Sequence, residues 1–343
     1  MTDDGVVTDD GKSGDRLREL DFEVFSGDAG LRLDNFLNKR MAWRSRSSIQ
    51  KLIATHQVRL KSRSCAMKPS LRVKGGDVVA VRIPVPKREL DGTLAGLLNR
   101  QIETLYEDRW ILVVNKPAGI PVHPAGRILT GTVITLLRER CEELDGLNPE
   151  DVKLCHRLDL ETSGVLLVSK DPVSMPSFAT QFEYRKVSKE YLAIVHGEVA
   201  QDEGEIELPI GPATNSPIFN KRAIRRGKGQ YARTGFKVEQ RYEGFSRVRL
   251  KLYTGRHHQI RVHLSAIGHP IVGDKLYGLD ENFFLMYFDG SLDEEAMKRL
   301  LLPRQALHAC RLGLHHRGLG KEVFFEAPLP EDLTEFVLGL KKL

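Results

Sequence analysis

Between residues 156 and 164 the chain reads His-Arg-Leu-Asp-Leu-Glu-Thr-Ser-Gly. One turn-like run thus holds a histidine, a guanidinium, two carboxylates, a hydroxyl pair and a glycine. Side chains of these types carry proton transfer, anion contact and attack by a carboxylate. Val165-Leu166-Leu167-Val168 follows at once, an apolar run that reads as a buried strand. A polar cluster at the mouth of a strand is where a rigid scaffold usually presents reacting groups. The same residues also fit a plain turn, with Asp159 and Thr162 as caps and Gly164 as a permissive backbone. Residue types alone leave the two readings level, so the surrounding elements must decide.

Those elements alternate many strands with few helices, which implies an α+β fold with a mixed, mostly antiparallel sheet. Ile111-Leu112-Val113-Val114 reads as a buried strand running into the turn Asn115-Lys116-Pro117-Ala118-Gly119. Lys116 there is either a solvated turn residue or a contact for a phosphate. Residues 130–140 have helical spacing, and Met175, Phe178, Ala179 and Phe182 mark an amphipathic helix. A strand follows at 189–195, with Tyr191, Ala193 and Val195 on one face by the two-residue period. Tyrosine in a sheet is usually packing. Strand 248–252 leads into Thr254-Gly255-Arg256-His257-His258-Gln259-Ile260-Arg261-Val262-His263. There Ile260, Leu264 and Ile267 share a helical face that Gly268 ends. Arg261 lies off that face in the first turn, where the helix dipole favours anions, so it calls for an anionic partner. The histidines lack the HExxH spacing and no CxxC occurs, so no metal site is expected.

The 343 residues suffice for two domains. Residues 1–20 are polar and read as a disordered tail. Residues 30–85 form a small unit of two helices and a few strands, with Leu33, Phe36 and Leu37 on one helix face. Serines at 45, 47 and 48 offer caps for the second helix, which buries Ile49, Leu52 and Ile53. Arg44, Arg46, Lys51 and Arg59 are among many basic residues there against few acids, which points to nucleic-acid backbone contact. Residues 86–104 serve as a linker, and 105–343 as the larger domain. Residues 221–233 hold six basic residues and no acid, including Arg225 and Arg226, and read as a basic hairpin or loop able to clamp a nucleic-acid backbone. The net charge of +6 leans the same way. Four scattered cysteines, no membrane-length apolar run and a polar start place the chain in the cytoplasm, away from membranes. It is expected to act as a monomer.

The stretch 156–164 resembles the signature of RluA-type pseudouridine synthases. Val-Val-Asn-Lys-Pro-Ala-Gly at 113–119, Lys-Glu-Tyr-Leu-Ala at 189–193 and Thr-Gly-Arg-x-His-Gln-Ile-Arg-Val-His at 254–263 resemble the family in the same order. So do Gly-His-Pro-Ile-Val-Gly-Asp at 268–274 and Leu-His-Ala at 307–309. The likeness spans about residues 106–330. Residues 33–83 resemble the alpha-L RNA-binding motif, through Arg-Leu-Asp at 32–34, Ser-Arg-Ser at 45–47 and Val-Lys-Gly-Gly-Asp at 73–77. The basic segment 219–233 departs from the common family sequence, and the insert 279–299 is variable, so neither takes a role from the resemblance.

The resemblance implies an isomerase that converts uridine to pseudouridine in RNA without cofactor or metal. Large-subunit (23S) ribosomal RNA is the substrate that the amino-terminal domain favours. Asp159 becomes the essential carboxylate, attacking the sugar C1′ or stabilising positive character there; proton loss at the 2′ position is the rival route. Arg261 matches the arginine that pairs with that carboxylate. Tyr191 matches the tyrosine beside the base, as stacking partner and general base. Arg157 matches a residue that holds the flipped-out state. Lys116, His156 and Leu307 complete the substrate-binding candidates, although His156 and Thr162 read mainly as loop supports. Two other readings remain: the same reaction on transfer RNA, and a non-catalytic RNA-binding or ribosome-assembly protein. A Ser/His/Asp hydrolase fails for want of a nucleophile elbow.

Overall fold

The computed structural model describes residues 7–8, 17–41, 46–63, 65–84, 102–124, 131–145, 147–214, 216, 218, 220–289 and 292–343. The chain divides into two compact units, Met1–Thr93 and Leu94–Leu343.

The first unit runs β1 (Val7–Thr8), β2 (Leu17–Glu23), α1 (Leu33–Arg40), α2 (Arg46–Ala54), β3 (Val58–Leu60) and β4 (Val78–Pro84). Its antiparallel sheet has the order β1-β2-β4-β3. Leu33, Phe36 and Leu37 of α1 pack with Ile49, Leu52 and Ile53 of α2 over Val58, Val79 and Val81. The helix faces fall where the spacing puts them. A tail through residue 20 does not hold, because Leu17–Glu23 pairs along the length of β4, from Leu17 opposite Pro84 to Glu23 opposite Val78. An antiparallel strand with one face toward water needs few apolar residues, so its composition mimics a tail. Helix α2 begins at Arg46, which puts Ser47 and Ser48 inside its first turn, while Ser45, the other expected cap, lies outside the described residues.

The second unit carries β5 (Glu103–Glu107), β6 (Ile111–Lys116), α3 (Val133–Asp145), β7 (Lys153–Leu154), β8 (Ser163–Ser169), α4 (Met175–Glu183) and β9 (Ser188–His196). It continues through β10 (Glu203–Glu207), β11 (Ile210–Pro212), β12 (Arg222–Ile224), β13 (Arg233–Tyr242), β14 (Phe245–Leu252) and α5 (Gln259–Ala266). Last come α6 (Asn282–Asp289), α7 (Glu294–Leu300), β15 (Leu307–His316), β16 (Lys321–Glu326) and α8 (Glu331–Leu338). A ten-stranded sheet has the order β10-β13-β14-β9-β15-β8-β6-β5, with β16 beside β15 and β7 beside β8. Every pairing in it is antiparallel except β8 with β15. The expected mixed, mostly antiparallel α+β sheet is thus present.

Both faces of the central strands are covered. Leu112 and Val114 of β6 and Leu166 and Val168 of β8 join the core that holds Ile134 and Leu137 of α3 and Ile260 and Leu264 of α5. The alternate residues Ile111, Val113, Val165 and Leu167 pack with Phe178 of α4 and with Leu312 and Leu314 of β15. That is why these strands read as continuous apolar runs. At the parallel crossing Gly164 has φ 113°, and a Cβ there would lie 2.2 Å from the carbonyl oxygen of Ala309. Only glycine permits this approach, which brings the mouth of β8 against the start of β15.

Candidate active site

The loop between β7 and β8 presents the nonapeptide, and buried polar groups pin it from beneath. Lys116, at the end of β6, is wholly buried, and its Nζ donates to the carbonyl oxygens of Pro117, Leu160 and Thr162 at 2.8, 3.0 and 2.9 Å. The turn closes on itself through Thr162 N–H to the Asp159 carbonyl at 3.1 Å. Thr162 Oγ1 accepts from Gln305 Nε2 at 2.6 Å, and Lys275 Nζ reaches Glu161 Oε1 at 2.7 Å. His156 Nε2 accepts the Leu167 amide at 3.0 Å while its ring stacks on Phe182. Burial pushes the imidazole down to about 3, so it is neutral and its role in the loop is that of an acceptor.

One expectation changes here. Lys116 cannot meet a phosphate, because it faces inward and its donors are spent on three carbonyls; a lysine at a strand end looks solvated until the next loop folds over it. Burial, with the Arg304 charge, pushes its pKa down to about 7. Ser163 Oγ and His308 Nδ1 lie 2.9 Å apart, both buried, and the pair ties β8 to β15.

Asp159 stands in a cleft of about 720 Å³ with Arg157, Tyr191, His258, Arg261 and Leu307 among its lining residues. Arg261 arrives from the first turn of α5. Thr254 and Gln259 lock the turn before that helix: Gln259 Oε1 accepts from Thr254 Oγ1 and Arg256 N–H at 2.7 and 3.0 Å. Arg261 Nε and Nη2 donate to the two oxygens of buried Asp274 at 2.7 and 2.9 Å, and Nη1 donates to Asp159 Oδ2 at 3.0 Å. The cation that the helix dipole disfavours therefore meets two carboxylates. Asp274 also accepts the Leu276 and Tyr277 amides at 2.9 Å, which fixes the whole fork.

Burial raises the Asp159 pKa, yet the charge and hydrogen bond of Arg261 outweigh it and leave the carboxyl below its ordinary value. Against the same burial, Asp274 and Asp159 raise the pKa of Arg261. Asp159 Oδ1 accepts no hydrogen bond among the described residues. One oxygen of the carboxylate is held and the other takes no donor among the described residues.

Tyr191 is 8% exposed and lines the cleft from β9. Burial and the Asp159 charge push its phenol up, so it is protonated at neutral pH. That favours a stacking and hydrogen-bonding phenol over the free phenolate a simple general base requires. Leu307 is buried at the start of β15, and Arg157 is exposed on the cleft rim. Arg157, Arg185, Lys189, Arg222 and Arg256 all line the cleft, and none has a carboxylate partner among the described residues. Asp159, His257 and His258 each offer a ligand atom within 4.8 Å of the others and are the residues that could meet a metal cation. The Arg261 guanidinium already sits on that carboxylate, and Nδ1 of His257 accepts from Arg222 Nε at 3.2 Å, so the donor set suits a metal poorly.

Residues 221–233, of which Arg222 lines the cleft, contain the hairpin strand β12, paired with β11, and place Arg225 and Arg226 just beyond its end. Arg225 donates to Thr214 Oγ1 at 2.7 Å, and Arg226 is exposed. In the first unit Arg44 lies outside the described residues. Arg46 bonds buried Asp34 at 3.1 Å and Arg59 bonds Glu19 at 2.8 Å, while Lys51 is exposed. The one-sign face expected there is milder than its composition, because Glu19, Asp21, Asp28, Asp34 and Asp77 all pair with its cations. Arg46 and Arg59 nevertheless stay about half exposed, and such pairs are worth little, so a phosphate can compete for them.

Asp274, Lys275, Tyr277 and His258 belong to the site, and the sequence reading gives them no role. A signal existed. Asp274 and Lys275 sit between Ile271-Val272 and Leu276-Tyr277, and charges inside an apolar stretch need buried partners.

Residues 110–266 match the family model for RNA pseudouridylate synthase. The uncharacterized RNA pseudouridine synthase YlyB of Bacillus subtilis is 36% identical over 95% of this chain and 99% of its own length. The ribosomal large subunit pseudouridine synthase D of Neisseria meningitidis is 36% identical over 91% of this chain and 79% of its own. Human RNA pseudouridylate synthase domain containing 4 superposes with a TM-score of 0.55 at 28% identity, over 73% of this chain and 97% of that one. With the carboxylate, arginine and tyrosine of the family's motifs gathered in one cleft, the chain belongs to the RluA-type RNA pseudouridine synthases.

Proposed function

We propose that this protein converts uridine to pseudouridine in large-subunit ribosomal RNA, with Asp159 as its catalytic carboxylate. The observation that carries the reading is the asymmetry of Asp159: Oδ2 is held by Arg261, and Oδ1 is open to a cleft ringed by cations that lack carboxylate partners among the described residues. The relatives named for the ribosomal large subunit support the substrate class.

A uridine buried in a helix cannot reach Asp159, so the nucleotide swings out of its stack, and Arg157 on the rim steadies the opened strand. Uracil enters against Tyr191, whose ring offers a stacking face. The bond from N1 to C1′ breaks with its electron pair leaving on the base. Asp159 Oδ1 then either bonds to C1′ or balances the positive charge that grows there. The base turns, C5 bonds to C1′, and the proton on C5 departs while N1 gains one. The reaction is an isomerisation, with no net gain or loss of atoms. Arg261 keeps Asp159 ionised despite burial. Arg44, Arg46, Lys51 and Arg59 in the first unit, and Arg225 and Arg226 beyond β12, contact the RNA backbone. The protein works in the cytoplasm, as a monomer. Among the described residues no helix is long and apolar enough to cross a membrane.

Pseudouridine mapping of all cellular RNA with and without the gene tests the reading. A site lost from large-subunit RNA and restored by the wild type but not by Asp159→Asn is expected. A site lost only from transfer RNA reassigns the substrate. No lost site, with Asp159→Asn sustaining cellular function, leaves an RNA-binding or assembly role instead.

A further inference from the structure

His258 begins α5 with φ 58°, a left-handed conformation uncommon for any residue with a side chain. Strain of this kind persists only where the surroundings hold it. Here it swings the imidazole between Asp159 and Tyr277. His258 Nδ1 lies 2.7 Å from the Tyr277 hydroxyl, and Nε2 lies 3.9 Å from Asp159 Oδ2. The Tyr277 hydroxyl also accepts the Arg222 backbone amide at 2.8 Å.

Counting donors points to one tautomer. A phenol has one proton to give, and its oxygen already accepts the Arg222 amide. If His258 Nδ1 carried a proton, the Tyr277 hydroxyl would accept twice and donate to no described residue. With Nδ1 bare, the hydroxyl donates to it and each of these groups is satisfied. The remaining ring proton then sits on Nε2, facing Asp159. Burial first, and the Arg261 charge with it, push the imidazole down to about 3, in keeping with a neutral ring.

Resting on the pseudouridine synthase reading, we propose that His258 is a positioning residue, held by Tyr277 as the Nε2–H tautomer to give Asp159 Oδ2 its second donor. Arg261 and His258 then both address Oδ2, which leaves Oδ1 as the reacting oxygen. The neutral donor steers the carboxylate without adding a second cation that would weaken it as a nucleophile. Tyr277 also ties Asp159 to the basic hairpin, since Arg222 supplies the amide from β12 and its Nε bonds His257. Backbone contacts made by that hairpin are therefore one hydrogen-bond chain away from the catalytic carboxylate, by way of Arg222, Tyr277 and His258. The 3.9 Å between His258 Nε2 and Asp159 Oδ2 is longer than a direct hydrogen bond, and catalytic hydrogen bonds that are long in a free enzyme tighten in its substrate complex.

Imidazole 15N–1H correlation spectra of the free wild-type protein read the tautomer directly, with His258→Asn assigning the signal. Protonated Nε2 and bare Nδ1 are expected; a protonated Nδ1 overturns the proposal. Steady-state kinetics on a ribosomal RNA fragment supply the second arm. Tyr277→Phe is expected to lower kcat about tenfold, the worth of one hydrogen bond, with KM unchanged. His258→Gln, whose amide N–H can stand in for Nε2–H, retains more of kcat than His258→Asn, which tolerates the left-handed backbone but offers its amide at the wrong depth. Wild-type kcat in Tyr277→Phe, or equal losses in His258→Gln and His258→Asn, overturns it. If no RNA is modified by the wild type, the functional reading fails, and the spectrum of the free protein still decides the network.

Discussion

Replacing Asp274 by asparagine separates what holds this site together from what acts in it. Asp274 is buried, takes both near nitrogens of Arg261 and accepts two backbone amides. The asparagine side chain would present one oxygen and an NH2 group to a guanidinium that can only donate, so one of the two bonds turns repulsive. Breaking a buried charge pair by removing one partner costs about 3–5 kcal/mol. Arg261 still has Asp159, which opens onto the cleft, so the lower end of about 3 kcal/mol applies. For a unit of this size that lowers Tm by about 6–12 °C. Asp159→Asn removes the other carboxylate, but Arg261 keeps its two bonds to Asp274 and a desolvated charge is lost. That variant loses one hydrogen bond but also the cost of desolvating a carboxylate, so it should stay within about 1 kcal/mol of the wild type in stability. It should lose its activity. Thermal melts of both variants, with pseudouridine formation measured on the same samples, check the pair. If Asp159→Asn melts as low as Asp274→Asn, the assignment of Asp274 to support and Asp159 to chemistry is wrong.

Further outcomes follow from the same geometry. Lys116→Met should cost about 3 kcal/mol or more, since three carbonyls under the loop lose their donor at about 1 kcal/mol or more each; a melt at the wild-type temperature would refute the pin. Gly164→Ala should unfold the second unit or shift β8 from β15, because its Cβ meets the Ala309 carbonyl, and soluble, fully active protein would contradict that. Lys189 shares a strand face with Tyr191, lines the cleft and lacks a carboxylate partner among the described residues, so Lys189→Gln should raise KM and reduce the salt slope of RNA binding by about 1. The pH profile gives a signed test. Because the Asp159 pKa is depressed, the ionised form and the stability it contributes are present above the unfolded value near about 4 and lost as pH falls through the lower folded value. The wild-type kcat should therefore show no acid limb above about pH 4, whereas Arg261→Met should introduce one, since burial alone pushes Asp159 up.

Much of the site was legible because its residues obey local rules. The two-residue period places Tyr191 on the face that lines the cleft, and a first-turn arginine on an amphipathic helix announces an anionic partner. The apolar runs at 111–114 and 165–168 read as strands buried on both faces, and they are. What escaped depends on contacts far apart in sequence. Lys116 looks like a solvated turn residue until the loop at 160–162 closes over it. Asp274 pairs with Arg261 across 13 residues and a change of chain direction that no period reports. The demand for glycine at 164 comes from Ala309, on a strand that arrives much later. In the first unit the basic composition was plain, but its neutralisation was not, because Glu19 and Asp21 lie on a strand that composition disguised as a tail.

Release of tritium from RNA labelled at C5 of uridine tests the central claim most directly, because the C5 proton departs only when C5 bonds to C1′. Wild-type protein should release tritium from large-subunit ribosomal RNA, and folded Asp159→Asn should release none above background. Release by Asp159→Asn at the wild-type rate would contradict the account, as would a wild type that releases tritium from no RNA.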